Sequence, residues 1–340
     1  MGKLFRNDYS EVAHPRILEA LSKYVKEQNT PYGLDYHSEN AAKYIRNIFG
    51  APHSDVHFLG GGTQTNVILI SHALKHYQGI ICPDTGHINV HETAAIESRG
   101  FKIITVPNIN GKISPQQIKD LLKKYNDEHM VKPGFVYISD STEIGTIYSK
   151  KELIDLYQTC KDNNLYFYID GARLGSALTS KENDVLPSDL GNLCDAFYIG
   201  GNKNGLFFAE ALVINNPLLK KDFRYHIKNM GAMIAKGYAV GIQFEEAFKD
   251  NLYFELASKS NEMANLLKEG LSRLGVNMLP SPTNQIFVTF KNELAIKLMD
   301  TFGAELWERK DDQTTVRFVT SFSTEKKDVE ELLTFLERNI

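Results

Sequence analysis

The chain has 340 residues, 42% of them hydrophobic and 24% charged, which is typical of a globular protein and excludes a disordered or collagen-like chain. Its formal net charge is −4 and no block of basic residues occurs, so a nucleic-acid-binding protein is not indicated. At this length we expect one large domain and a smaller appended one.

The N-terminus and the cysteines indicate the compartment. The first twelve residues, MGKLFRNDYSEV, are polar, and no run of about 18 apolar residues occurs, so neither a secretory signal nor a membrane span is predicted. Cys82, Cys160 and Cys194 lie far apart, without the spacing of a zinc site or a disulfide framework. We therefore expect a cytoplasmic protein without a metal site.

Short apolar runs alternate with helical patterns between residues 56 and 170. The runs VHFL, GIICP, KIITVP, FVYIS and LYFYID read as strands. Between them, Ser114 caps a predicted helix that has Pro115 at its first position, and SKKELIDLYQTCKDNN has a helical apolar face. Strands that are apolar on both faces and joined by helices predict a mainly parallel sheet with ligands at the strand ends.

The pattern changes after Ala247. A long helical stretch from Tyr253 to Arg273 is followed by NQIFVTF, a helix around LAIKLMDTF, the strand VRFVTSF and a terminal helix, EKKDVEELLTFLERN. We therefore predict an α/β fold with two domains. An N-terminal segment and a large α/β domain occupy residues 1–247, and a small α+β domain occupies residues 248–340.

Glycines follow a strand and open a helix in LGGGTQTNVILI, residues 59–70. Exposed backbone amides and the partial positive charge of a helix N-terminus suit a phosphate group, although a plain tight turn explains this stretch equally well. The G-x-G-x-x-G spacing and the Walker lysine are missing, and no acidic residue ends a second strand about 20 residues later. An NAD-binding or nucleoside-triphosphate-binding protein is therefore not favoured.

Polar residues at the ends of two predicted strands could also take part in chemistry. Asp170 ends the strand of YFYIDGARLG, where it either pairs with Arg173 or meets the protonated ring nitrogen of a cofactor, leaving Arg173 for an anionic substrate. His87, like His91, follows the strand GIICP and is either a loop residue or a pocket residue.

Lys203 lies in GGNKNG, between the apolar runs AFYI and LFFAEALVI. Burial there would lower the pKa of its amine and leave it free to attack a carbonyl, whereas the alternative is an exposed lysine on a surface hairpin. A phosphate loop, a histidine, a strand-end aspartate and a lysine, in that order, are the parts that a pyridoxal phosphate (PLP) enzyme needs.

These motifs resemble those of the threonine aldolase branch of the aromatic-amino-acid beta-eliminating lyase family, within the fold type I PLP-dependent enzymes. The resemblance covers nearly the whole chain and rests on PYGLDYHSENAAKYIRNIFG, GGTQTN, His87 with Glu92, STEIGTIYS, YIDGARLG, GGNKNG and VRFVTSF. It implies the fold of aspartate aminotransferase, PLP as the cofactor, and cleavage of L-threonine or L-allo-threonine to glycine and an aldehyde.

The resemblance also implies roles for individual residues. Lys203 would hold the cofactor aldehyde covalently, Asp170 would pair with the pyridine nitrogen, and His87 would stack on the ring. The other implied ligands are Gly61, Gly62 and Thr63 for the phosphate, Arg173, Arg317 and Ser10 for the substrate carboxylate, and Tyr32 and Lys236 for the cofactor of a neighbouring subunit. The last pair presupposes a homodimer or homotetramer with active sites at the subunit boundary.

The chain departs from the family at one motif, because it has Asp140-Ser141-Thr142-Glu143 where many threonine aldolases read E-N-T-H. Glu143, His87 and His91 are the candidates for the base that acts on the substrate hydroxyl. A beta-eliminating lyase would use the same lysine, aspartate and arginines, and a catalytically silent PLP-fold binding protein would have lost one of them.

Overall fold

The computed structural model describes residues 4–340, so the first three residues of the polar N-terminal segment lie outside it. Across the described range, the strands form a seven-stranded and a three-stranded sheet. The larger sheet contains β1 (Asp55–Leu59), β2 (Gln78–Pro83), β3 (Lys102–Val106), β4 (Lys132–Ser139), β5 (Tyr166–Asp170), β6 (Ala196–Gly200) and β7 (Glu210–Ile214). The smaller sheet contains β8 (Gln285–Lys291), β9 (Glu305–Lys310) and β10 (Gln313–Val319).

The α-helices surround these sheets. In chain order they are α1 (Pro15–Lys23), α2 (Tyr36–Ile48), α3 (Gly62–Ala73), α4 (His87–Val90), α5 (Pro115–Lys124), α6 (Lys150–Asp162), α7 (Leu174–Leu178), α8 (Leu190–Leu193), α9 (Pro217–Lys220), α10 (Phe223–Asn229), α11 (Tyr238–Lys249), α12 (Leu252–Arg273), α13 (Asn292–Phe302) and α14 (Lys326–Glu337). The predicted cap of α5 is confirmed, because Ser114 and Gln117 form a capping box and Pro115 opens the helix.

The larger sheet is mainly parallel, as predicted. Its strand order is β1-β7-β6-β5-β4-β2-β3, and β7 runs antiparallel to both neighbours while the other neighbouring pairs are parallel. Side chains alternate between two cores along each central strand. On β4, Val136 and Ile138 enter one core, whereas Phe135 and Tyr137 enter the other. Both faces are therefore covered, and ligand access is left to the strand ends.

The N-terminal segment packs on the smaller sheet through Phe5. The Phe5 amide donates to the Phe302 carbonyl at 2.7 Å, and the Phe5 carbonyl accepts from the Val319 amide at 2.8 Å. The Phe5 ring lies fully buried in the core formed by α12, α14 and the smaller sheet. The predicted domain boundary after residue 247 falls within α11, two residues before that helix ends.

None of the helices found between residues 4 and 340 combines the length and the apolar character needed to cross a membrane.

Candidate active site

A cavity of about 420 Å³ lies where the parallel strands of the larger sheet end. Ser139 and Asp170, the last residues of β4 and β5, stand opposite each other in the sheet and both line it. The predicted site residues that the structure brings together here are Gly62, Thr63, His87, Glu143, Asp170, Arg173 and Lys203. Residues from five separate stretches of the chain therefore meet in one place.

The amino end of α3 forms one side of the cavity. Gly61 is the N-cap, and Gly62 and Thr63 begin the helix, whose first-turn amides have no partner within the helix. A Cβ atom at Gly62 would lie 2.8 Å from the Tyr198 hydroxyl, so glycine is needed for this close approach. The geometry suits an anionic group on the helix N-terminus.

Asp170 is buried at the opposite side and is held by neutral donors. Its Oδ2 accepts hydrogen bonds from the Tyr137 hydroxyl at 2.7 Å and from Asn66 Nδ2 at 3.0 Å. Its Oδ1 accepts from the Ala172 amide at 3.0 Å. No cationic side chain is among these donors in the described chain, and a cationic ring nitrogen would compensate the buried charge.

Arg173 pairs with Asp8 and not with Asp170. Its Nε donates to Asp8 Oδ2 at 2.7 Å and its Nη2 donates to Asp8 Oδ1 at 3.0 Å, while Asn284 Nδ2 adds a third bond at 2.9 Å. Burial opposes ionisation of Asp8, but the charges of Arg173 and Lys203 outweigh it and lower the pKa of this carboxyl. The sequence analysis missed Asp8, whose partner lies 165 residues away.

Lys203 lies on the loop between β6 and β7 and points into the cavity, so the surface-hairpin alternative does not hold. The loop is fixed by Glu210, whose Oε2 accepts from the Gly201 amide at 2.6 Å and whose Oε1 accepts from Asn202 Nδ2 at 2.7 Å. Burial, and after it the Arg173 charge, lower the pKa of Lys203, against the opposing charges of Asp8 and other carboxylates. The amine is therefore deprotonated more readily than an exposed one.

His87 and Asp170 are connected by hydrogen bonds. Glu92 Oε1 lies 2.9 Å from His87 Nδ1 and accepts from Asn66 Nδ2 at 2.8 Å, and the same Asn66 nitrogen reaches Asp170. Glu92 is buried, and this contact fixes the orientation of the imidazole ring at the cavity wall. Asn66 and Glu92 thus support the groups that line the cavity.

Glu143 lies beside His87 on the loop after β4. Its Oε1 accepts from the Ser139 hydroxyl at 2.6 Å and from the His87 amide at 2.9 Å. Its Oε2 is buried and has no hydrogen-bond partner among the described residues. Burial raises the pKa of Glu143, so this carboxyl holds a proton more tightly than an exposed one does.

A second cavity of about 750 Å³ adjoins the first and contains Arg317 and His91. Arg317 Nη1 donates to Gln285 Oε1 at 3.0 Å, its Nη2 pairs with Glu305, and the Trp307 ring lies 5.6 Å from its guanidinium. Arg173 lines this cavity too, and burial together with the positive charge of Arg173 lowers the pKa of Arg317. Tyr9, Glu143 and Lys203 line both cavities.

Gly61 adjoins the first cavity as the N-cap of α3, whereas Ser10, Tyr32 and Lys236 lie away from both cavities in the single chain. Ser10 is exposed and its hydroxyl donates to Asn7 Oδ1 at 2.8 Å, whereas Asp8 and Tyr9 of the same segment reach the site. Tyr32 and Lys236 are exposed. The Tyr32 amide donates to the carbonyl of Ala235 at 3.0 Å, so these two residues adjoin each other on the surface. Their reach into a neighbouring subunit stays a prediction.

Asp140 begins the loop that carries Glu143, and burial raises its pKa from the ordinary value of 3.8 to about 7. The folded chain therefore binds this proton more tightly than the unfolded chain, and stability falls as the pH rises from about 4 to about 7. Asp140→Asn removes the buried charge. At about pH 8 we expect this change to raise the free energy of unfolding. The gain is on the order of 1 kcal/mol for each unit by which the pKa of Asp140 in the folded chain exceeds its ordinary value.

Urea unfolding of both proteins at about pH 8 and about pH 4 measures this effect. The expected gain is confined to the higher pH, where the wild-type carboxyl is ionised. An equal gain at both pH values would contradict the assignment, because a packing effect does not depend on protonation.

Within residues 4–340, no group of histidine, cysteine, aspartate and glutamate side chains is arranged to hold a metal ion.

Comparison with known proteins places the chain among enzymes of one family. The beta-eliminating lyase family matches residues 5–293. A low specificity L-threonine aldolase of Pseudomonas aeruginosa is 29% identical over 332 residues, covering 96% of this chain and 94% of the relative. The solved structure of a Leishmania major threonine aldolase is 44% identical with a TM-score of 0.97, covering 99% of both chains.

The fold is also found in a more distant enzyme. The aspartate aminotransferase of Thermus thermophilus superimposes with a TM-score of 0.73 at 14% identity, covering 100% of this chain and 92% of that one. The predicted fold class and the predicted family are both confirmed. The chain belongs to the threonine aldolase branch of the beta-eliminating lyase family.

Proposed function

We propose that the chain is a PLP-dependent aldolase that cleaves β-hydroxy-α-amino acids, such as L-threonine and L-allo-threonine, to glycine and an aldehyde. The observation that carries this proposal is the meeting of Lys203, Asp170, His87 and the amino end of α3 in one cavity. The close similarity to a threonine aldolase of Leishmania major supports the same reaction.

The residues present fit PLP. The cavity of about 420 Å³ is within the usual size of a cofactor pocket. Asp170 offers a buried anion for a protonated ring nitrogen, Lys203 offers an amine for the aldehyde, and the first turn of α3 offers amides for the phosphate. When bound, PLP supplies an electron sink for the bond that breaks at the α-carbon.

Arg173 and Arg317 are the proposed partners of the substrate carboxylate. Asp8 takes the Nε and Nη2 side of Arg173, which leaves the terminal N–H groups of Nη1 for the substrate. Arg317 approaches from the adjoining cavity on β10. Two guanidinium groups give a planar carboxylate a fixed orientation, which aligns the scissile bond.

Glu143 is the proposed base for the substrate hydroxyl, since its unpartnered Oε2 and raised pKa suit removal of a proton. We expect Glu143→Gln to lower kcat for L-threonine by about 10²-fold or more. Glycine binding is expected to persist, because glycine has no hydroxyl. If kcat survives in Glu143→Gln and falls instead in His87→Gln or His91→Gln, the base is the histidine.

The test of the function is the absorption spectrum of the PLP-supplied protein before and after borohydride, followed by L-threonine and product analysis. A yellow band fixed by borohydride, with glycine and acetaldehyde as products, supports the proposal. Pyruvate and ammonia would replace it with a beta-eliminating lyase. The absence of any band would indicate a PLP-fold protein that no longer uses the site.

We further propose a cytoplasmic homodimer or homotetramer in which Tyr32 and Lys236 of one subunit approach the cofactor of the next. Their joint position on the surface supports this arrangement. Light scattering of the purified protein measures its mass in solution.

A further inference from the structure

Arg317, the outer of the two proposed carboxylate-binding arginines, already has an anionic partner within the chain. Glu305 on β9 stands opposite Arg317 of β10 in the smaller sheet, and its Oε2 accepts from Arg317 Nη2. Gln285 on β8 holds Nη1 from the other side, and the Trp307 ring lies at the guanidinium. Arg317 is thus held in place by three strands of the smaller sheet.

The ion pairs Arg173–Asp8 and Arg317–Glu305 differ in how easily the carboxylate can be displaced. Asp8 is 1% exposed and takes three hydrogen bonds from Arg173 and Asn284, so its departure would leave a buried guanidinium without a counter-ion. The Glu305 side chain is 44% exposed, while Arg317 is 12% exposed. The two arginines are about equally buried, so the difference lies in the carboxylates: Glu305 is already partly hydrated and can turn to water when an incoming carboxylate takes its place on Arg317, whereas Asp8 cannot.

Arg317 also has an unpartnered donor, which supports the view that a second carboxylate can replace Glu305. Its Nε is buried and has no hydrogen-bond partner among the described residues. A second carboxylate that took Nε and Nη2 together would satisfy that donor and form the bidentate contact that arginine prefers. Glu305 stands in the way of this arrangement, because its Oε2 already occupies Nη2.

We propose that Glu305 is a resident counter-ion of Arg317 that the substrate carboxylate must displace, so that Glu305 sets the affinity for amino acids. The inference rests on the proposed function for its choice of ligand, an α-amino acid. The same competition applies to substrate and to glycine, since both carry the carboxylate. Glu305 acts through Arg317 and does not touch the reacting atoms, so it influences binding and not the chemical step.

Glu305→Gln tests the competition, and Glu330→Gln is the control. Glu330 carries the same charge and pairs with Lys326 at 3.6 Å, but it lies on α14 and lines neither cavity. In the PLP-loaded protein, Glu305→Gln is expected to tighten glycine binding, measured by calorimetry, by about three- to tenfold. The KM for L-threonine falls in parallel while kcat stays near the wild-type value, and Glu330→Gln behaves like wild type.

A double-mutant cycle with Arg317→Ala separates competition from a general change in charge. If Glu305 acts through Arg317, Glu305→Gln changes glycine affinity in the wild-type background and leaves it unchanged in the Arg317→Ala background. An equal gain in both backgrounds would overturn the proposal, as would weaker glycine binding in Glu305→Gln, which would show that Glu305 only positions the arginine.

These experiments distinguish failure of the Glu305 competition from failure of the proposed aldolase function. If L-threonine gives no aldehyde but Glu305→Gln binds glycine more tightly, the aldolase proposal fails and the competition stands. If aldehyde forms and Glu305→Gln leaves glycine affinity unchanged, the competition fails alone.

Discussion

Lys203→Ala is expected to abolish aldehyde release from L-threonine, by at least about 10³-fold, together with covalent attachment of PLP. The reason is that Lys203 presents its amine to the cavity opposite Asp170, on a loop held by Glu210. Removal of the side chain leaves those backbone contacts in place, so the chain is expected to stay folded.

The measurement is the mass of the protein after PLP and borohydride, beside its melting temperature and the acetaldehyde assay. Lys124→Ala, an exposed position on α5, is the control and is expected to retain all three properties. Persistent attachment in Lys203→Ala would assign the covalent role to another amine, and a large loss of melting temperature would make the loop itself the cause.

Asp8→Ala is expected to lower the free energy of unfolding by about 3 to 5 kcal/mol, because it leaves the Arg173 guanidinium buried and unpaired. The matched control is Asp250→Ala. Asp250 pairs with Arg16 at 3.3 Å, but the Asp250 side chain is largely exposed and Arg16 keeps Glu246 as a second partner at 2.9 Å, so this change is expected to cost at most about 1 kcal/mol.

Urea unfolding measures the free energy of unfolding of both variants. The KM for L-threonine is a second measurement on Asp8→Ala. KM is expected to rise, since the terminal N–H groups of Arg173 lose their fixed direction. Equal stability losses in the two variants would show that water enters and solvates Arg173, and the N-terminal segment would then have no structural role at this site.

Local patterns carried most of the fold prediction. The alternation of apolar runs with helical stretches between residues 56 and 170 predicted a mainly parallel sheet, because central strands such as β4 are apolar on both faces and the connections contain helices. The capping box of Ser114 and Gln117 is likewise recognisable within four consecutive residues. The family followed from short motifs whose residues the structure collects around one cavity.

Contacts between distant segments could not be read in the same way. The sequence around Asp8 gives no sign of its pairing with Arg173, which only the fold brings about. The pairing of Glu305 with Arg317 likewise depends on the register of β9 against β10. The assignments of Ser10, Tyr32 and Lys236 depend on such distant contacts, and they stay predictions. Asp170, by contrast, ends β5, and Lys203 lies on the loop that follows the adjacent strand β6, so the strand order brings them to the same end of the sheet.

The N-terminal segment also joins the two sheets at the substrate site. Phe5 is hydrogen-bonded to Phe302 and Val319 in the part of the chain that contains the smaller sheet, whereas Asp8 pairs with Arg173, which follows β5 of the larger sheet. Because Asn284 also holds Asp8, across 276 residues of the chain, the position of the Arg173 counter-ion depends on both parts being folded together. Proteolytic removal of this segment would therefore take the counter-ion from Arg173 and the Phe5 ring from the smaller core in a single cut.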